Sequence, residues 1–237
     1  MTGADERRDV LERGLAALRS RIDAACAAHG RAPTEVTLVV VTKTFPASDI
    51  AVLASLGVRD IAENRHQEAA AKVAVCADLA VRWHFVGQLQ TNKAAAVAQY
   101  ADVVHSVDRR KLVGPLDRGA DAADRRVGAL VQVDLDERPA APARGGARPD
   151  QVLALAEALA AAQSIDLLGV MAVAPLGQPA APAFERLAHI GEQVRAGFEG
   201  ASWVSAGMSA DFETAIGFGA THVRIGSALL GARPVLR

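Results

Sequence analysis

The chain predicts an α/β fold, a single-domain TIM (β/α)8 barrel, and three observations carry that expectation. The run Val36-Thr37-Leu38-Val39-Val40-Val41 is aliphatic with almost no polar alternation, as a strand is when both faces are buried in a helix-flanked parallel sheet. Short apolar segments of this kind alternate with helical patterns along the chain, as repeated βα units require. The composition is 51% hydrophobic but only 4% aromatic, so the interior must be built from Ala, Val, Leu and Ile. A doubly wound open sheet fits the same alternation, but no Gly-x-Gly-x-x-Gly follows the first strand.

An amphipathic helix is expected from about Asp5 to His29. Strands are expected at Thr37 to Thr42, Val58 to Ala62, Trp83 to Val86, Val103 to Ser106, Ala129 to Val133, Leu167 to Ala172, Ser202 to Ser205 and His222 to Ile225. Helical patterns begin near Ser48, Arg65, Asn92, Arg109, Pro149, Ala181 and Ser209, several of them opened by the Ser, Asn or Pro that helix starts prefer. Arg138 to Pro149 and Pro175 to Pro182 read as loops within the repeat, the first mobile and the second covering a site. No shift in composition divides the 237 residues, which are read as one domain, 1–237, with an N-terminal helix.

A formal net charge of -1, from 26 basic and 27 acidic residues, supplies no field to hold nucleic acid or an anionic membrane. The N-terminus carries no basic-then-apolar leader, and no apolar run is long enough to span a bilayer. The expectation is a cytoplasmic monomer that binds neither nucleic acid nor membrane. Cys26 and Cys76 lie in alanine-rich helical surroundings without His or Cys at metal spacing, and read as buried or idle thiols.

In such a barrel the chemistry collects at the carboxyl ends of the strands. The first strand ends at Lys43, the second at Glu63-Asn64-Arg65-His66-Gln67-Glu68, and the third runs through Trp83-His84-Phe85 to Asn92-Lys93. Gly169-Val170-Met171 lies in the sixth. Ser205-Ala206-Gly207-Met208-Ser209 follows the seventh and Arg224-Ile225-Gly226-Ser227 closes the eighth, two small-residue turns where backbone N–H groups suit a phosphate. An amine on one side and a phosphate cradle on the other suggest a ligand with an aldehyde and a phosphate, such as pyridoxal 5'-phosphate (PLP).

Each residue also has a plainer reading. Lys43 taken alone is a solvated lysine where a strand becomes a loop. His84 faces away from Trp83 and Phe85 and reads as a hydrogen-bonded core residue, and Asn64 reads as the cap of the next helix. Lys93 and the Arg109-Arg110-Lys111 run read as solvated, Glu63 and Glu68 as structural, and Tyr100 as a helix residue away from the strand ends.

Taken together the motifs Val41-Thr42-Lys43, Glu63-Asn64-x-x-Gln67-Glu68, Trp83-His84-Phe85-x-Gly87-x-Leu89-Gln90-x-Asn92-Lys93, Gly169-x-Met171, Ser205-x-Gly207-Met208-Ser209-x-Asp211 and Val223-Arg224-Ile225-Gly226 resemble the pyridoxal-phosphate homeostasis protein family over nearly the whole chain. The resemblance implies a barrel like the N-terminal domain of alanine racemase, with PLP held as an aldimine on Lys43. It implies an intracellular role in carrying, buffering or delivering PLP, with apo-PLP enzymes as recipients and no established turnover. It carries over Ser205, Gly207, Met208, Ser209, Gly226 and Ser227 as phosphate contacts and Asn64 and Met171 as pocket residues. Arg224 is implied as the neighbour of the ring nitrogen, and His84 is grouped with the cofactor-side residues. Ala62, Ala206 and Ser227 depart from the family's usual Gly, Met and Thr, but they leave the backbone N–H groups and a hydroxyl in place. A racemase-like enzyme or a Schiff-base aldolase would use the same lysine; the racemase would also need a base on the second face of the cofactor.

Overall fold

The computed structural model describes residues 3–136 and 145–231. Strands β1 (Thr37–Val41), β2 (Asp60–Glu63), β3 (Arg82–Phe85), β4 (Val103–Val107), β5 (Val127–Gln132), β6 (Ile165–Met171), β7 (Trp203–Ser205) and β8 (His222–Ile225) close into a barrel in sequence order. All neighbours are parallel, and β8 closes on β1 with Thr37 beside His222 and Val40 beside Ile225. The helices are α1 (Gly3–Ala28), α2 (Ala47–Ser55), α3 (His66–Val75), α4 (Thr91–Ala98), α5 (Val113–Asp121), α6 (Val152–Ala160), α7 (Ala180–Gly197), α8 (Phe212–Gly217) and α9 (Ser227–Leu230). The expected barrel is the observed one.

The aliphatic run of β1 is explained by its two buried faces. Leu38 and Val40 join an outer cluster with Ile50 and Leu53 of α2, and with Leu11, Leu15, Leu18 and Ile22 of α1. Those four α1 residues recur at the three- and four-residue spacing that puts an apolar stripe on one face of a helix. Arg7 of α1 adds an ion pair of 2.6 Å to the buried Asp49 of α2. A second outer cluster lies under α4 to α7, and a small third one, Val103, Leu130 and Met171, lies apart from both. Trp83 and Phe85 belong to the outer clusters, whereas His84 bonds to residues of β2 and β4. The alternation expected around His84 therefore holds.

Several boundaries differ from expectation for local reasons. β2 starts at Asp60 instead of Val58, because the Val58 N–H donates to the Leu53 carbonyl and closes the end of α2. β5 starts at Val127 instead of Ala129, because Val127 and Gly128 pair with Ile165 and Asp166 of β6, and the lack of a side chain on Gly128 makes room for Leu168. β6 starts at Ile165 instead of Leu167, because Ile165 pairs with Val127. α5 starts at Val113 instead of Arg109 and α6 at Val152 instead of Pro149, each after a 3-10 turn. α8 starts at Phe212 instead of Ser209, because Asp211 folds back on Met208. Most of the expected mobile loop Arg138 to Pro149 lies outside the described residues. Cys26 and Cys76 are buried thiols, as expected. No described helix is long and apolar enough to cross a membrane.

Candidate functional site

At the carboxyl face a cleft of about 290 Å³ is lined by Lys43, Met208, Ser209, Arg224, Gly226 and Ser227 together with Val41, Phe45 and Ala210. Residues from β1, β8 and the two small-residue turns thus meet in one place. The turns touch directly: the Ser227 hydroxyl donates to Ser209 Oγ at 3.4 Å, and the Ala228 N–H donates to the same oxygen at 3.3 Å. The Leu229 and Leu230 N–H groups turn back to the Gly226 carbonyl, so the Ala228 N–H is the backbone donor seen beside the two hydroxyls. A Cβ on Gly226 would lie 3.1 Å from the Val41 carbonyl, so a side chain there would crowd the strand end beside Lys43.

The turn that carries Lys43 is held by a buried ion cluster. Lys72 of α3 donates from Nζ to the Thr42 carbonyl at 2.9 Å and to Glu63 Oε1 and Glu68 Oε1 at 2.7 Å each. The Thr42 hydroxyl also donates to Glu63 Oε1, and the Thr44 N–H donates to Glu68 Oε1, both at 2.6 Å. Both residues flanking Lys43 are therefore fixed by the same three charged groups. The clamp accompanies a φ of +69° at Thr44, a backbone conformation that β-branched residues avoid and that surrounding structure must impose. Burial pushes the Glu63 carboxyl up, against the lowering effect of its bonds from Lys72 and Thr42. Glu68 is held below the usual carboxylate range: burial raises it, but the bonds from Lys72 and the Thr44 N–H outweigh that.

Arg224 is 5% exposed and lies where β8 reaches the cleft. It donates from Nη1 to Ser205 Oγ at 2.7 Å and from Nη2 to the Ala172 carbonyl at 2.8 Å. Burial lowers its pKa to about 10, which leaves it charged at neutral pH. Ser205 reaches the cleft through Arg224 and does not line it. His84 does not line it either: its Nδ1 meets His105 Nε2 at 2.8 Å and its Nε2 meets Asp60 Oδ1 at 2.9 Å.

Asn64, Met171 and Gly207 also lie outside the cleft lining. Asn64 is not the cap of α3, a place taken by Arg65 without a side-chain bond; its backbone packs against Gly87, where a Cβ would fall 2.0 Å from the Asn64 carbonyl oxygen. Met171 belongs to the small interior cluster. Gly207 has φ +89°, and a Cβ there would meet the Phe212 Cα at 2.7 Å and the Ala215 Cβ at 2.8 Å. Its constraint is thus packing against α8. Gly207→Val is expected to lower stability by more than about 1 kcal/mol and to weaken phosphorylated and unphosphorylated pyridoxal alike. Thermal unfolding and paired titrations check this; selective loss of the phosphorylated form at unchanged stability would place the constraint in ligand contact instead.

Tyr100 is not a helix residue but lies in the turn after α4, where it stacks on His66, the first residue of α3, with its hydroxyl 3.5 Å from His66 Nδ1. Three residues escaped the sequence reading. Lys72 stands four residues after Glu68 on one helix, a spacing that announces an ion pair. His105 and Asp60 stand among apolar strand residues, two positions from Val103 and Ala62, and period-two alternation would have set them facing inward with His84.

The fold and this site define a barrel of the alanine racemase N-terminal type. The family model for the alanine racemase N-terminal domain matches residues 14–234, and the alanine racemase of Corynebacterium glutamicum shares the fold with a TM-score of 0.66 at 17% identity, over 96% of this chain and 62% of that one. The chain belongs to the pyridoxal phosphate homeostasis protein family. It is 40% identical over 244 residues to the pyridoxal phosphate homeostasis protein of Mycobacterium tuberculosis, covering 96% of this chain and 95% of the relative. Against the Escherichia coli K12 protein of the same name the identity is 35% over 230 residues, 92% of this chain and 95% of the relative. PipY of Synechococcus elongatus PCC7942, whose structure has PLP bound, superimposes with a TM-score of 0.80 at 33% identity, over 93% of this chain and all of PipY.

Proposed function

We propose that this chain binds PLP at the carboxyl face of the barrel, attaches it through its aldehyde to Lys43, and carries, buffers or delivers it in the cytoplasm. The observation that carries the reading is the one cleft that joins Lys43 to the Ser209 and Ser227 hydroxyls and to Arg224. The donor set suits the ligand. A primary amine adds to an aldehyde with loss of water, and two hydroxyls beside a helix start suit a phosphate. The cleft volume, about 290 Å³, is at the small end of ligand pockets and matches a single-ring cofactor.

When bound, PLP would supply an electron sink for carbanion chemistry. Arg224 is a buried cation of the cleft lining, and if the ring nitrogen lay against it the charge would oppose protonation of that nitrogen. A carboxylate would favour it, so this arginine supports storage over turnover. Tyr100, the single tyrosine of the sequence, contacts His66 and does not line the cleft, so it offers no base for a racemase-like reaction.

Borohydride reduction of the PLP-loaded protein followed by peptide mass spectrometry tests the attachment, and the expected product is a pyridoxyl group on Lys43. Label confined to another lysine would overturn the site. Mixing the loaded protein with an apo-PLP enzyme tests the delivery role: activation faster than from an equal concentration of free PLP supports it, and activation limited by spontaneous release would reduce the role to buffering.

A further inference from the structure

The interior of such a barrel is ordinarily filled by branched aliphatic side chains. Here Asp60, His84, His105, Ser205 and Arg224, none more than 6% exposed, cross it from the first residue of β2 to the carboxyl end of β7 and β8. His84 Nε2 lies 2.9 Å from Asp60 Oδ1, His84 Nδ1 lies 2.8 Å from His105 Nε2, and His105 Nδ1 lies 2.9 Å from Ser205 Oγ. Ser205 Oγ in turn accepts from Arg224.

Arg224 can only donate, so Ser205 Oγ is an acceptor toward it. His105 is fully buried, and burial, followed by the charges of His84, Arg224 and His222, puts its pKa well below the ordinary imidazole value. A neutral His105 carries one N–H. With that proton on Nε2, Arg224 donates to Ser205, Ser205 to His105, His105 to His84, and His84 to Asp60; with it on Nδ1, His105 donates to Ser205 and His84 donates from both ring nitrogens, to His105 and to Asp60. Either order pairs every contact, and both end on the Asp60 carboxylate. The carboxylate end is further held by Arg82, whose Nε lies 2.9 Å from Asp60 Oδ1. His222 stands outside the chain, stacked on Trp203 and bonded through Nδ1 to Thr221 Oγ1 at 2.8 Å.

We propose that Asp60, His84, His105 and Ser205 form a hydrogen-bonded chain that positions the Arg224 guanidinium for the cofactor ring, with His105 as the central positioning residue. The proposal rests on reading the cleft as the PLP site. The contact with His105 fixes the Ser205 hydroxyl with a lone pair toward Arg224, so the guanidinium is anchored at both Nη1 and Nη2. Without His105 the hydroxyl loses its partner and one of the two anchors is free to rotate.

Nitrogen NMR of the ligand-free protein at pH 7 tests the chain: a proton shared between His84 Nδ1 and His105 Nε2 is expected, seen as coupling between the two nitrogens. Absence of that coupling overturns the chain. His105→Phe, which keeps the ring volume, is expected to weaken PLP binding roughly tenfold and to shift the visible absorption of bound PLP, with His105→Gln restoring part of both. An unshifted band at matched occupancy, or equal defects in both variants, assigns His105 a packing role and overturns the proposal. Absence of PLP binding by the unmodified protein would sink the functional reading, and with it the cofactor-positioning role; the ligand-free NMR result decides the hydrogen-bonded chain alone.

Discussion

Lys43→Ala is expected to abolish covalent capture of PLP completely, while weaker, reversible binding through the phosphate end persists. Lys43 lines the cleft with the Ser209 and Ser227 pair, and none of the other residues lining it is a primary amine. Removing the amine therefore removes the bond to the aldehyde but leaves the phosphate donors standing. Borohydride reduction should leave no pyridoxyl label on the variant, and a titration should still show saturable binding that free phosphate competes away. Persistent label elsewhere at the level of the unmodified protein would mean that a different lysine holds the cofactor. Unchanged thermal stability of the ligand-free variant would confirm that the loss is chemical.

Lys72→Met is expected to cost about 3 kcal/mol of stability, near the lower end of the penalty for breaking a buried ion pair. Glu63 is 1% exposed and would lose its buried counter-charge, whereas Glu68 is partly open to water and is compensated more easily. The cost is expected to depend on pH. Glu63 is already pushed above the usual carboxylate range by burial, and losing Lys72 pushes it further. A carboxyl whose folded pKa is raised binds more protons in the folded than in the unfolded state. Its contribution is therefore full below the unfolded value and is lost as pH rises through the folded value. The variant should accordingly recover stability on acidification through the range where Glu63 takes up a proton, on the Oε2 atom that has no hydrogen-bond partner in this structure. Denaturant midpoints at several pH values measure this, and a penalty that stays constant or grows toward acid would show that Glu63 is not the group left exposed. Because Lys72 also holds the Thr42 carbonyl, and Glu68 the Thr44 N–H, PLP capture by Lys43 should slow in the same variant.

The sequence by itself determined the barrel, its strand order and the two ends of the candidate site. Buried aliphatic runs and βα alternation are local patterns, and a parallel sheet with short connections leaves little choice in how they assemble. Lys43, Ser209, Arg224 and Ser227 were legible because each follows or closes a strand, and strand ends in this fold share one face. His84 was legible as inward-facing from the alternation Trp83-His84-Phe85, but its partners were not. Asp60 and His105 come from neighbouring strands, 24 and 21 residues away, and no local pattern states which inward side chains lie at the same height. Strand register and tilt decide that, and they are properties of the closed barrel. The same holds for Gly207, whose glycine looks like a ligand requirement along the chain, while only the fold shows that Phe212 and Ala215 also leave no room for a side chain there. The clamp on Lys43 likewise needed the tertiary structure. The Glu68 to Lys72 spacing is visible along α3, but only folding brings that ammonium to the Thr42 carbonyl and the Glu63 carboxylate. A buried charge must find its counter-charge and hydrogen bonds wherever the packed chain puts them, and that requirement is met across elements and not along one.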